Sequence, residues 1–237
     1  MLTEHELVML TNFCQDNLPL KGAVLAEEYF YQSLSLCVID ALYSINVRYE
    51  STRQVVLRYC RHYNVKKIRD NRSVTPLPVS QESISELLQH FKDTGVEHMT
   101  EKVFDNRQLT SPRNGIRKGE AVYRFAKVLQ QYNVNYFQDV PSVMNNSRFA
   151  DAFKSIPGQG SGISLKYFFM LSGSDDLVKP DRMIKRFIAN IINREISEQQ
   201  TEFGLKYVCQ RLNEKHAEIT PRLLDNLIWN YQRAKRV

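Results

Sequence analysis

Between Ser155 and Phe187 the chain reads SIPGQGSGISLKYFFMLSGSDDLVKPDRMIKRF. Two parts of this stretch could do chemistry. The first is the turn Ile156-Pro157-Gly158-Gln159-Gly160. Pro157 fixes its own φ and starts the turn, while Gly158 and Gly160 can take a positive φ and carry no side chain to hold a ligand away. Backbone N–H groups there, with the N-terminus of the helix that follows, suit a phosphate. The second is Asp181, at the entry to an amphipathic helix. A carboxylate at a fixed distance from a phosphate cradle can face the sugar of the same nucleotide, stabilise positive charge growing on it and orient or deprotonate a water. Asp is also a favoured N-cap, so the residue taken alone reads first as a helix start. Asp175 and Asp176 read as solvated loop carboxylates.

The turn is not a dinucleotide fingerprint, because no strand pattern precedes it, and it lacks the Gly-Lys-Ser/Thr ending of a Walker loop. As a whole, the stretch resembles the helix–hairpin–helix DNA glycosylase superfamily, which includes endonuclease III-type and bacterial 3-methyladenine glycosylases. Ile156 to Gly160 match the family's hairpin, Asp181 stands at its catalytic aspartate, and Asp181-Arg182-Met183-Ile184-Lys185-Arg186-Phe187 matches the helix after it. Lys179-Pro180-Asp181 is particularly similar to the alkylated-base branch. Ile163-Ser164 stands where the family has Thr-Ala.

Two further segments resemble the same family. Ser44-Ile45-Asn46-Val47-Arg48-Tyr49 is similar to the segment whose polar side chain fills the gap left by an extruded base, with Asn46 in the gap-filling position. Ile116-Arg117-Lys118-Gly119-Glu120-Ala121 is similar to the entry of the middle helix. The resemblance covers about residues 33 to 193. It implies that Asp181 is catalytic and that Gly158, Gln159, Gly160, Gly162, Asn46, Arg48, Tyr49, Lys118 and Lys185 contact DNA. Bifunctional members carry a Schiff-base lysine two residues after the second hairpin glycine, and that position is Gly162 here. A monofunctional enzyme using water is therefore implied, with Lys166 and Lys179 as the nearby amines that would supply lyase chemistry. Expected partners are double-stranded DNA with one base extruded, and no membrane. The chain is expected to act as a monomer, without metal or other cofactor. The base could be an alkylated purine, a mismatched base or a modified cytosine, which leaves both base excision repair and antiviral defence against modified phage DNA open. A non-catalytic helix–hairpin–helix module would use the same hairpin but have no need of Asp181.

The elements that must position these residues are helical. Helices are expected over 4 to 14, 24 to 43, 51 to 63, 81 to 92 (capped by Ser80 and ended by Asp93-Thr94-Gly95), 118 to 132, 146 to 155, 162 to 171, 181 to 193 and 198 to 213. One more follows Thr220-Pro221, a cap and first-turn pair. Residues 105 to 117 lack periodicity and form a basic loop. Tyr167, Phe168 and Trp229 read as core, and Tyr49 as core or DNA contact. No strand pair or repeat stands out, so the fold class is all-α. By resemblance it is a two-lobed helical fold with a cleft, with 33–172 as the central lobe and 1–32 plus 173–237 as the second.

Composition sets the outer limits. With 43% hydrophobic and 24% charged residues over 237 positions, the chain can bury a sizeable core. No apolar run approaches the ~18 residues of a membrane helix. The opening Met1-Leu2-Thr3-Glu4-His5-Glu6 is acidic rather than a signal peptide, and a cytoplasmic location is expected. The net charge of +6 fits a polyanion partner. Basic residues cluster at 58–72, 113–127, 179–194 and 233–236. Cys14, Cys37, Cys60 and Cys209 are too widely spaced for an iron–sulfur cluster or paired zinc ligands, and the five histidines show no ligand spacing.

Overall fold

The computed structural model describes residues 1–235; Arg236, the end of the last basic cluster, lies outside them. The protein is all-α. Its helices are α1 (Glu4–Asn17), α2 (Leu34–Tyr43), α3 (Tyr49–Tyr63), α4 (Ile84–Thr94), α5 (Val96–His98), α6 (Lys118–Gln131), α7 (Ser147–Lys154), α8 (Ile163–Leu171), α9 (Arg182–Ile192), α10 (Glu198–Leu212) and α11 (Pro221–Ala234). Among the described residues strand-like pairing is limited to isolated bridges, Tyr31 with Ile68 and Leu109 with Arg117. No described helix is long and apolar enough to cross a membrane.

The chain forms two units. One is the continuous stretch Glu27–Ser172; the other joins Met1–Ala26 to the chain from Gly173 onward. In the continuous unit α2 is buried along its whole length, and α3, α4, α6 and α8 pack on it. The expected helix over 24–43 is shorter at its start because residues 30–32 pair instead with 67–69. Gln32 N–H donates to Lys67 O and Arg69 N–H to Phe30 O, so Phe30 and Tyr31 belong to a paired segment that follows a 3₁₀ turn at Glu27–Tyr29. Phe125 anchors the core beneath α7 and α8, edge-on to Phe153 at 4.6 Å and to Phe168 at 4.9 Å. Each such pair adds about 0.5–1.5 kcal/mol beyond its area. Ser83, not Ser80, caps α4, in a reciprocal capping box with Glu86, while Ser80 ends a 3₁₀ turn. Gly95 ends α4 at φ 85°, as its sequence predicts.

In the other unit α1 packs on α9 and α10, and α11 packs on the same two helices. The shared core includes Leu7, Leu10, Ile184, Phe187, Leu205, Val208, Leu224 and Ile228. Caps fix where each helix begins. Thr3 and Glu6 form a capping box on α1, as do Ser197 and Gln200 on α10; Thr220, followed by Pro221, caps α11. Arg194, just past α9, grips Glu6 with two nitrogens at 2.6 and 3.0 Å, tying α9 to α1.

Candidate functional site

Asp181 begins α9, and its geometry follows from the residue before it. Pro180 bends the chain so that Asp181 N–H donates to Lys179 O at 2.7 Å, a three-residue turn. This leaves Asp181 extended at the N-cap. Its Oδ1 accepts from Met183 N–H at 2.7 Å and Ile184 N–H at 3.2 Å. The carboxylate is thus fixed through one oxygen at the positive end of the helix. The second oxygen takes no hydrogen bond from any described residue, and the side chain is half-buried. Lys185 lies one turn on, also half-buried, its N–H on Asp181 O at 2.9 Å.

Helix α11 clamps the loop that leads to Asp181. Arg222 N–H donates to Asp175 O at 3.0 Å, and its buried guanidinium reaches Asp175 Oδ1 at 3.3 Å. One turn later the buried Asp225 accepts the Lys179 N–H on Oδ1 at 2.8 Å. Asp225 has a carboxyl held well above the ordinary carboxylate range. Burial is the main cause and the charge of Asp181 the second, opposed by the Lys179 N–H and ammonium. Asp225 is not among the residues that the sequence marks for function. Its signal was a lone acid beside the apolar stripe Leu224, Leu227 and Ile228, where an unpaired carboxylate is costly. Asp175, read as solvated, is exposed but paired with Arg222.

The glycine hairpin belongs to the continuous unit and joins α7 to α8. Gln159 N–H closes onto Ile156 O and Gly162 N–H onto Gln159 O, both at 2.9 Å. Gly158 (φ 83°) and Gly162 (φ 72°) occupy the left-handed region; Gly162 is the N-cap of α8. Gly158, Gly160 and Ser161 are exposed, and their N–H groups find no acceptor among the described residues. Gln159, between the two hairpin glycines, is buried at only 3% exposed, and both its N–H and its carbonyl are used inside the hairpin.

Asn46 sits at φ 58° in the turn between α2 and α3, exposed, with Arg48 exposed at the N-cap of α3. Tyr49 is half-buried beside Tyr29, ring centres 6.1 Å apart. Burial, then the charge of Asp40, pushes its hydroxyl far above the ordinary tyrosine value. Lys118 is not on this surface. It is 1% exposed, and its ammonium donates to Tyr43 O at 2.9 Å and Ile45 O at 2.7 Å. It therefore holds the Asn46 turn from inside, because a buried ammonium must be hydrogen-bonded and the last carbonyls of α2 need donors. The segment 108–118, which covers most of the basic loop expected over 105–117, braces both features. Lys118 N–H bonds Gln108 O, Thr110 N–H bonds Ile116 O, and the Thr110 hydroxyl donates to Pro157 O at 2.8 Å in the hairpin.

Other groups with chemical potential are spoken for by packing. All four cysteines are buried; burial pushes the Cys14 and Cys60 thiols up to about 12 and Cys209 to about 11. A groove of about 780 Å³ between α1, α9 and α11 is lined by Phe13, Phe187 and Tyr231 and contains none of the sequence-derived site residues. Among the described residues no three His, Cys, Asp or Glu side chains come together as a metal site.

A family model described as a domain of unknown function (DUF8548) matches residues 8–233. The chain belongs to that family. The match runs through both units, and so includes Asn46, the hairpin, Asp181 and Asp225. Comparison with curated proteins and with solved structures finds no match.

Proposed function

We propose that this DUF8548 chain is a monofunctional DNA N-glycosylase of the helix–hairpin–helix type, acting as a monomer on double-stranded DNA. The observation that carries the reading is the state of Asp181. Its carboxylate is fixed through one oxygen by two backbone N–H groups and keeps the other oxygen clear. In the proposed reaction the exposed N–H groups of Gly158, Gly160 and Ser161 hold a phosphate. Asn46, with Arg48 and Tyr49, fills the gap left by the extruded base. Asp181 stabilises the positive charge on the sugar and takes a proton from water; the water oxygen bonds to C1′ as the C1′–N bond breaks and its electron pair leaves with the base. Repair of damaged bases and removal of modified bases from foreign DNA use this same chemistry.

The capping bonds of Asp181 also favour a second reading, a DNA-binding module in which Asp181 only starts α9. Mass spectrometry of bases released from a panel of alkylated, mismatched and modified DNA, with Asp181→Asn as control, separates the two. The glycosylase releases a free base that the variant does not. A wild-type protein that binds the panel and releases nothing is a binding module.

A further inference from the structure

We propose that Asp225 is the positioning residue for Asp181, locking the Lys179-Pro180-Asp181 turn from helix α11. This rests on the glycosylase reading for its catalytic consequence, but its structural core stands on geometry alone. The loop entering α9 makes two contacts with α11 on successive turns, at Arg222 and at Asp225. The Asp225 bond lands on the N–H of Lys179, the residue whose carbonyl closes the turn onto Asp181. One hydrogen bond thus separates the Asp225 carboxyl from the turn that sets the direction of the Asp181 carboxylate.

A buried carboxyl is an unusual choice for this task, since an amide or a hydroxyl would accept the same N–H. What the acid adds is a proton. Among the described residues the charged groups that act on it are Asp181 at the head of α9 and Lys179 in the loop; on its own helix Arg222 is engaged with Asp175. With Asp225 neutral, its Oδ1 accepts the Lys179 N–H and no second negative charge crowds Asp181. When Asp225 ionises, two carboxylates repel across the turn, and Asp181 loses its position. Asp225 therefore places an alkaline limit on the alignment of Asp181.

The test compares full-length wild type, Asp225→Asn and Asp225→Leu, each checked for wild-type helical circular dichroism. Asn keeps an acceptor but no titratable proton; Leu keeps neither. Hydrogen exchange of the Met183 and Ile184 amides reads the cap on Asp181 without any DNA. Exchange should be several-fold faster in Asp225→Leu and restored in Asp225→Asn; equal rates in all three proteins would overturn the proposal whatever the protein does to DNA. With a DNA substrate, Asp225→Leu should lose base release on the order of 10²-fold with little change in DNA affinity, as misplaced catalytic groups do. Asp225→Asn should retain activity and lose the alkaline fall of the wild-type pH profile. An alkaline fall that persists in Asp225→Asn would remove the proton from the account. A wild-type protein that releases no base refutes the glycosylase reading only, and the exchange data then decide the role of Asp225.

Discussion

Gly158 lies directly against Thr110. A Cβ added to Gly158 would stand 2.7 Å from Thr110 Cβ and still closer to its Oγ1, the hydroxyl that donates to Pro157 O at 2.8 Å and accepts Ile116 N–H at 3.1 Å. The hairpin and the 108–118 segment are thus one packed object, and the two glycines of the PGxG turn have different duties. At the Cα of Gly158 the hairpin meets its own protein, while the Gly158 N–H stays without an acceptor among the described residues. Gly160, with nothing within 4 Å of an added Cβ, is where it meets solvent.

Substitution separates these duties. Gly158→Ala should lower stability through its positive φ, a strain of about 1–2 kcal/mol, and further through the clash with Thr110. Gly160→Leu should melt at the wild-type temperature yet bind DNA more weakly, because the new side chain stands where a phosphate would approach. Fluorescence anisotropy with a duplex, beside thermal denaturation, checks both. Wild-type DNA affinity in Gly160→Leu would reduce the hairpin to a turn.

Lys118 and Arg48 should part company in the same way. Lys118→Met leaves the Tyr43 and Ile45 carbonyls without their buried donor, and each such loss typically costs ~1–3 kcal/mol. Urea denaturation should show the drop. Arg48 is exposed at the head of α3. If it meets a phosphate, Arg48→Ala should make the log–log dependence of DNA affinity on salt shallower by roughly 0.9, whereas Lys118→Met should leave that slope alone.

Asp181→Asn is expected to fold, since Asn caps a helix about as well as Asp, and to bind DNA as well as wild type or better. Its base release should fall on the order of 10²–10⁴-fold, the usual worth of a positioned acid–base group. Single-turnover kinetics measure this, and release at the wild-type rate would leave Asp181 as a cap alone.

Stability should carry a pH signature of Asp225. Its carboxyl is raised in the folded protein above the unfolded value of about 3.9. Between those values the folded state holds a proton that the unfolded chain has lost, so stability from this group is greatest below the unfolded value and declines as pH rises through the folded one. Wild type should therefore lose more of its melting temperature between mildly acidic and mildly alkaline pH than Asp225→Asn does. Parallel curves for the two proteins would show that Asp225 titrates normally.

Helices with a cap and a clear stripe were legible in the residues. Thr220-Pro221 starts α11, Gly95 ends α4, and Asp181 opens α9, each where its local chemistry places it. Where a distant segment competes, local reading failed. Residues 30–32 have helical content but pair with 67–69, and the 3₁₀ turn at Pro78–Ser80 takes the serine that looked like a cap. The same limit applied to the site. Lys118 has the type and setting of a phosphate ligand, and only the tertiary position of the α2 C-terminus turns it inward. Gln159 is in an exposed turn, yet it is buried. Asp225 lies far along the chain from Lys179, and nothing local links them.

The second unit draws on both ends of the described chain, which bears on how the protein is made. Helix α1 presents Leu7, Leu10 and Cys14 to α9 and α10, yet those helices are synthesised only after the whole continuous unit has passed through the ribosome. At ~5–20 residues per second, α1 waits on the order of ten seconds or more with its apolar stripe uncovered. Helices α3, α4, α6 and α8, which pack on α2, are all complete by Ser172, so the continuous unit can condense during that interval. A nascent chain stalled there would carry a finished body and an orphaned helix, a natural client for a chaperone.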